Sequence, residues 1–499
     1  MYRHTMHIST LLLALVVSSS ALADDFTNTV KAQLLTPQFA KEFVGSYGIL
    51  SDIEPQVSDP EQKLLTRLQV LFSESKFKDA ENLLIAFIKE TESPTDPAKT
   101  PGVISPAMVF VLGNLYFQAE RYDEAKRAFD EAIKRFPRFR RAYTNLGYLY
   151  IAQSKVDDAL KAFQKSVTLG ENSPRVMGML GYCYLSKQNP LAAENAYRQA
   201  YLVDPESRDW KLGMAQALLQ QDKNAEAASI FGVLIKENQQ DKQLWMRQTA
   251  AYLAMDRKDE AILNLETLRL MKLADEGNLN LLGNLYMDQG QGKSALAAYS
   301  EAIALSPTLN LAQALKSAKI LNDYGFPEDS AALITKIRSN GGKLSQEELI
   351  QLQLADLKVA RSLNQSARVG DILASLIKDS PTNADVLLEM AKHYDLTSRD
   401  EPDEEKRKQL SGEAKTHYNL AMKSESTAYQ ANLALGQLLV RESRTMDALP
   451  YLEKALALKK SESLEQYVSR VQRAAAREKL RKDREETDRA EAEKEAKKK

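Results

Sequence analysis

Residues 140–173 read RRAYTNLGYLYIAQSKVDDALKAFQKSVTLGENS, and the rest of the chain is legible from this stretch. Its Ala159 belongs to a series, Ala125, Ala159, Ala193, Ala227, Ala261 and Ala295, spaced by 34 residues. Twelve residues before each alanine stands Gly113, Gly147, Gly181, Ala215, Thr249 or Gly283, and nine before stands Tyr116, Tyr150, Tyr184, Leu218, Tyr252 or Tyr286. Four after each comes Phe129, Phe163, Tyr197, Phe231, Leu265 or Tyr299, and prolines close units at Pro137, Pro205 and Pro307. A fixed period of this length is the mark of a stacked repeat in which each unit is one supersecondary element.

Physical chemistry explains the spacing. Each unit reads as two antiparallel helices, A and B. The small residue of helix A lets helix B approach, and the alanine of helix B occupies the tight crossing. The tyrosine and the later aromatic fill the gaps between units, and proline stops helix B. A lone unit cannot bury its apolar face, so neighbours must stack around a continuous core. The pattern resembles the tetratricopeptide repeat. The fold class expected is all-α: an α-solenoid, a right-handed superhelix of antiparallel helix pairs.

Outward from the quoted stretch, six strict units occupy 106–139, 140–173, 174–207, 208–241, 242–275 and 276–309. Before them, Ala80 with Leu68, Leu71 and Leu84 marks a divergent unit, which with the Pro-rich insertion Ser93–Pro97 spans 61–105; a helical segment covers 24–60. After them, 310–428 reads as degenerate helix pairs, interrupted by Gly325-Phe326-Pro327 and by Gly341-Gly342, with Pro381, Ala391 and Tyr394 restoring the register. The charged run Asp400–Lys408 is expected to lengthen a turn before Ala414, Tyr418 and Ala421. A final unit at 429–462 holds Leu435, Gly436, Ala448, Leu452 and Ala455, giving about ten pairs in all. From Arg473 onward Leu480 is the one apolar residue larger than alanine, so 463–499 is expected to end in a solvated helix or fraying tail with no role in the solenoid.

Composition agrees with a repeat array. The chain has 499 residues, 44% hydrophobic and 27% charged, which excludes wholesale disorder and a multi-span membrane protein. A net charge of −1 argues against a dedicated nucleic-acid binder, which needs a basic surplus. Residues 1–23 read as a signal peptide: Arg3, the apolar run Ile8–Val17, and small residues up to Ala23. Cleavage after Ala23 predicts a periplasmic protein with no membrane span. The single cysteine, Cys183, rules out an intramolecular disulfide and reads as a buried, inert thiol.

No motif carries catalysis. Beyond the signal, His393 and His417 remain, in separate helices and without metal-ligand spacing. Gly292-Lys293-Ser294 lacks the earlier glycine of a phosphate loop, since position 287 is Met287, and reads as an A–B turn. The acidic run Asp400–Glu405 lacks the alternation and central glycine of a calcium loop and reads as solvated. The expectation is a protein that is not an enzyme and uses no cofactor and no metal.

The repeat resemblance implies a concave wall of A helices with motif positions 2, 5, 9 and 12 facing inward. In this sequence those positions supply Phe110, Asn114 and Phe117; Arg141, Thr144, Tyr148 and Ile151; Arg175, Tyr182 and Leu185; Leu212, Gln216 and Leu219; Met246 and Leu253; and Asn280, Asn284 and Met287. Aromatic, arginine and asparagine side chains beside apolar ones suit a peptide groove, although position 12 reads equally well as core. The carboxylate clamp of chaperone-type relatives is incomplete: Asn114, Asn145 and Arg175 fall on its positions, but Phe110 and Met179 stand where basic residues belong.

A second resemblance concerns the N-terminal segment. Phe43–Ser51 followed by Ile53-Glu54-Pro55, together with Ala251–Leu270, is similar to bacterial periplasmic tetratricopeptide proteins associated with TonB energy-transducing systems. It implies a periplasmic accessory of TonB-dependent uptake whose partners are proteins or peptide segments, such as TonB-system components or outer-membrane transporters. Two alternatives stay open: a scaffold for envelope assembly or polysaccharide export, and a hydrolase with its site in a degenerate repeat.

Overall fold

Segments rich in alanine and leucine and punctuated by single turn residues favour helices over strands. Helix is the one regular structure among the described residues of this computed structural model, which are 54–306, 308–340 and 344–496, with side chains described as far as 485. Residues 1–23, expected to be a signal peptide, residues 24–53 with the Phe43–Ser51 motif, Pro307 and Gly341-Gly342 lie outside the described residues.

The helices come in antiparallel pairs. They are α1 (Asp59–Ser73) with α2 (Phe77–Glu92), α3 (Pro106–Gln118) with α4 (Tyr122–Arg135), α5 (Arg140–Ala152) with α6 (Val156–Thr168), and α7 (Pro174–Ser186) with α8 (Pro190–Val203). Next come α9 (Arg208–Leu219) with α10 (Asn224–Glu237), α11 (Lys242–Ala254) with α12 (Lys258–Leu270), and α13 (Glu276–Asp288) with α14 (Gly292–Leu305). Then follow α15 (Leu311–Asp323) with α16 (Pro327–Asn340), α17 (Gln346–Ser362) with α18 (Ser366–Asp379), α19 (Ala384–Asp400) with α20 (Glu404–Ala421), and α21 (Glu425–Arg441) with α22 (Thr445–Leu458). The last helix, α23 (Glu462–Ala496), follows α22. The described residues therefore hold eleven pairs and one added helix, against the ten or so expected. They divide into two compact units, Met1–Ala274 and Asp275–Lys499, each with its own core.

Within each unit the small positions are where helices meet. Ala125, Ala159, Ala193, Ala227, Ala261 and Ala295 are all fully buried. A Cβ added to Gly147 would lie 2.6 Å from Cε1 of Phe163, and one on Gly113 would lie 2.7 Å from Cε1 of Phe129. In the units with a glycine in helix A, the later aromatic thus packs over that glycine. Tyr197 does so for Gly181 and also leans against Gly213 of the next pair.

The chain reverses between A and B through one left-handed residue, at Glu120, Ser154, Gln188, Asp222, Asp256 and Gly290, with φ between 56° and 72°. The amide three positions beyond the helix end bonds back into it, as Lys155 N does to the Tyr150 carbonyl at 2.8 Å. The turn before α14 is therefore centred on Gly290. Gly292-Lys293-Ser294, expected in that turn, instead forms the first turn of α14, and Gly292 is small because the ring of Phe326 lies against it.

Two further expectations are corrected. The charged run Asp400–Lys408 does not make a long loop: residues 401–403 turn, and Glu404–Lys408 extends α20, with Asp403 capping at Lys406 N, 2.8 Å. The tail is not excluded from the solenoid either. Leu464, Val468 and Val471 of α23 are buried ahead of Arg473, and Ala475 is buried within the tail itself. Beyond them, Glu478 accepts hydrogen bonds from Thr445 Oγ1 at 2.5 Å and Met446 N at 3.3 Å, holding the start of α22.

Candidate partner-binding surface

In the first unit, the A-helix residues expected to face a partner are largely consumed by packing. Phe110, Phe117, Tyr148, Ile151 and Met246 are buried, so they form core instead of groove. The B helix of the same pair, and for Phe110 also the start of the next pair, come too close to leave these positions open. The Phe110 ring lies 4.9 Å from that of Phe139 and 5.8 Å from that of Phe129, and Tyr148 meets Phe163 edge-on at 5.2 Å. Burial raises the Tyr148 hydroxyl pKa well above its ordinary value. At position 5 of the next unit, Gly178 is the seat of the Trp210 ring.

The polar members are tied as well. Asn145 Nδ2 donates to Asn114 Oδ1 at 2.7 Å, linking α5 to α3. Arg141 places its guanidinium 5.8 Å from the Phe110 ring centre. Beside it, Glu54 reaches Arg140 at 3.6 Å, and burial pushes the Glu54 carboxyl up from its ordinary value against the pull of Arg141 and Arg140. Arg175 is exposed, and Tyr182, Leu185 and Gln216 are half-buried. In the second unit Asn280 Oδ1 accepts from Ser317 Oγ at 3.2 Å, Asn284 Oδ1 accepts from Tyr299 Oη at 2.8 Å, and Met287 is core.

The second unit holds a groove of about 420 Å³ that sequence reasoning missed. Its walls are the first helices of consecutive pairs, α15, α17 and α19, with Gln430 of α21 at one end and Ser330 and Ile334 of α16 beneath. Leu315, Leu354, Val359 and Leu388 make an apolar floor, and Lys316, Lys319, Lys358 and Lys392 stand along the sides. Lys319 is bonded to Asp323, and Lys392 Nζ donates to Glu389 Oε1 at 2.8 Å. Glu389 is buried, and although that burial opposes its charge, Lys392 and Arg361 hold its carboxyl below the ordinary value. A signal for this groove was present. Lys316 and Lys358 have no acidic residue three or four positions away, the spacing that pairs charges on a helix.

Among the described residues no group of three or more His, Cys, Asp and Glu side chains could hold a metal, and no helix is long and apolar enough to cross a membrane. Cys183 is buried, and burial pushes its thiol up to about 12, far from the thiolate needed for reactivity. His393 and His417 flank Tyr394, whose ring lies 5.4 Å from that of His417, and burial lowers the His393 pKa.

Comparison with known proteins agrees with this geometry. Residues 110–174, 184–251 and 277–309 each match the Tetratricopeptide repeat family. No curated protein matches. Among solved structures, a tetratricopeptide repeat protein from Parabacteroides merdae is 19% identical, with 49% of this chain and 93% of that chain covered and a TM-score of 0.33. YrrB, described as a TPR protein with an unusual peptide-binding site, is 16% identical over 44% of this chain and 97% of its own, with a TM-score of 0.33. A chain of the Naa15/Naa10 assembly bound to HypK-THB is 12% identical over 83% of this chain and 66% of that one, with a TM-score of 0.42. Residues 110–174, 184–251 and 277–309 are thus tetratricopeptide repeats.

Proposed function

We propose that this chain is a non-catalytic scaffold that binds segments of other proteins in the periplasm, as an accessory of a TonB-dependent outer-membrane transport system. The observation that carries the binding role is the groove across α15, α17 and α19. An apolar floor flanked by a few charged groups is the usual make-up of a recognition cleft, and its volume falls in the roughly 300–1,000 Å³ range of such sites. Export rests on the signal-like residues 1–23, and the TonB association on the resemblance of the Phe43–Pro55 segment.

The test is to recover the chain from bacterial periplasm, sequence its N-terminus, and use it as bait for envelope extract. The expected results are a mature start at Asp24 and enrichment of a TonB-system component or outer-membrane transporter. Enrichment of polysaccharide-export or envelope-assembly proteins instead would replace the TonB reading. Retention of Met1 would overturn the periplasmic one.

A further inference from the structure

We propose that the α15–α19 groove receives an extended acidic segment of a partner protein, whose carboxylates pair with Lys316 and Lys358. This rests on the scaffold reading and deepens it by naming the chemistry of the partner.

The argument is one of uncompensated charge. Two buried carboxylates elsewhere in the fold are each met by two cations. Glu194 has Arg198 and Lys223, and Asp356 has Arg338 and Arg368. In the groove, Lys319 and Lys392 are likewise answered by Asp323 and Glu389. Lys316 and Lys358 are exposed and have no ion pair with any described residue. The acid left over, Asp385, lies in the first turn of α19, where the helix dipole offsets its charge. Two positive charges therefore stand beside the apolar floor without an ion pair, and the four lysines of the lining outnumber its three acids, Asp323, Asp385 and Glu389.

The spacing narrows the ligand. Lys316 and Lys358 project from α15 and α17, first helices of adjacent pairs, and packed helices lie about 8–10 Å apart. A polyproline II chain rises about 3.1 Å per residue and returns to the same face every third residue. Carboxylates three residues apart on such a segment meet both lysines, while an intervening apolar side chain lies over Leu354. Fixed opposite charges of this kind set specificity and make binding salt-dependent.

The experiment uses the mature full-length chain and two fluorescein-labelled dodecapeptides, four repeats of Glu-Leu-Pro and four of Gln-Leu-Pro, followed by fluorescence anisotropy. The glutamate peptide should bind roughly tenfold or more tightly than the glutamine peptide. The double variant Lys316→Glu, Lys358→Glu should lose that preference while keeping its helical circular dichroism and melting temperature. The control Lys423→Glu, on an exposed turn residue outside the groove, should behave as the parent. Equal binding of both peptides through the groove would leave the scaffold reading standing and overturn the acidic one. The proposal would also be overturned if the glutamate peptide did not bind, if the double variant bound it as tightly as the parent, or if phosphatidylglycerol vesicles and not the peptide bound through these lysines.

Discussion

At Ala193 a methyl group fills all the space available: the residue is fully buried where α8 crosses α7. Replacing it with leucine should cost about 1–3 kcal/mol through overpacking, measured by urea denaturation. Gly147→Ala should act the same way, because the Phe163 ring occupies the place its Cβ would take. Tyr148 belongs to the same class. Tyr148→Ala should lose roughly 3–5 kcal/mol, the range for emptying a large aromatic site, while Tyr182→Ala, at a half-buried position, should lose clearly less. This contrast was not legible in the sequence, where both tyrosines fall at the same motif position. Alanine and glycine are readable because they report a close approach directly. Whether a tyrosine faces solvent depends on how the rings around it pack, and for Tyr148 that includes the edge-on ring of Phe163 on the B helix of its own pair. Glu194 adds a pH dependence. Hydrogen bonds from Lys223, and then from Arg198 and Gln221, lower its carboxyl pKa to about 2, below the roughly 4.3 of an unfolded chain. Its stabilising contribution is therefore complete above the unfolded value and lost as pH falls from there through about 2. Glu194→Gln should melt below the parent at pH 7, and the two should converge near pH 2.

Among the elements, the pairs from α3 to α14 follow the 34-residue period closely because one steric rule repeats unchanged. The later elements depart from it through length: α17, α19 and α20 run to 17, 17 and 18 residues, against 12 to 14 in the strict pairs. Nothing in the charged run Asp400–Lys408 distinguishes a solvated loop from an exposed helical turn, since both put charges in water. The groove lay beyond sequence reading for a related reason, because it is formed by degenerate pairs in which motif positions cannot be counted. The lysines without helical partners were its visible trace. The tail misled because its composition suggested nothing to bury, yet Glu478 works by hydrogen bonding and needs no apolar area. Its bonds from Thr445 and Lys482 hold its carboxyl pKa to about 2, so it remains a charged acceptor at the N-terminus of α22 throughout the physiological range. Glu478→Gln keeps an acceptor but loses the charge, and Glu478→Ala loses both. Amide exchange in the first turn of α22 should rise in the order parent, glutamine variant, alanine variant. Equal exchange in all three would mean that the apolar contacts of Leu464, Val468 and Val471 alone hold α23 in place.

Within each of the two units, a pair touches chiefly the pairs before and after it, so the stability of a unit is a sum of local terms and nearest-neighbour interfaces. Such a chain does not unfold as one cooperative block, and a local lesson about packing becomes a prediction about range. Within the first unit, Ala193→Leu loosens the crossing of α7 and α8. Both faces of that pair matter: α8 packs on α9, and the Glu194 carboxylate ties it to Lys223 at the start of α10. Toward the N-terminus the next interfaces are α6 with α7 and then α4 with α5, each a separate term. Hydrogen exchange followed by mass spectrometry should therefore accelerate most in α7 and α8, less in α5–α6 and α9–α10, and little in α1–α2. Within the second unit, Ala414→Leu should give the corresponding gradient centred on α19 and α20, since Ala414 is fully buried there. A uniform acceleration across all the pairs of a unit would contradict nearest-neighbour coupling and make that unit a single cooperative core. A graded response would mean that a partner seated on α15–α19 protects those helices and their immediate neighbours first, with protection fading along the second unit.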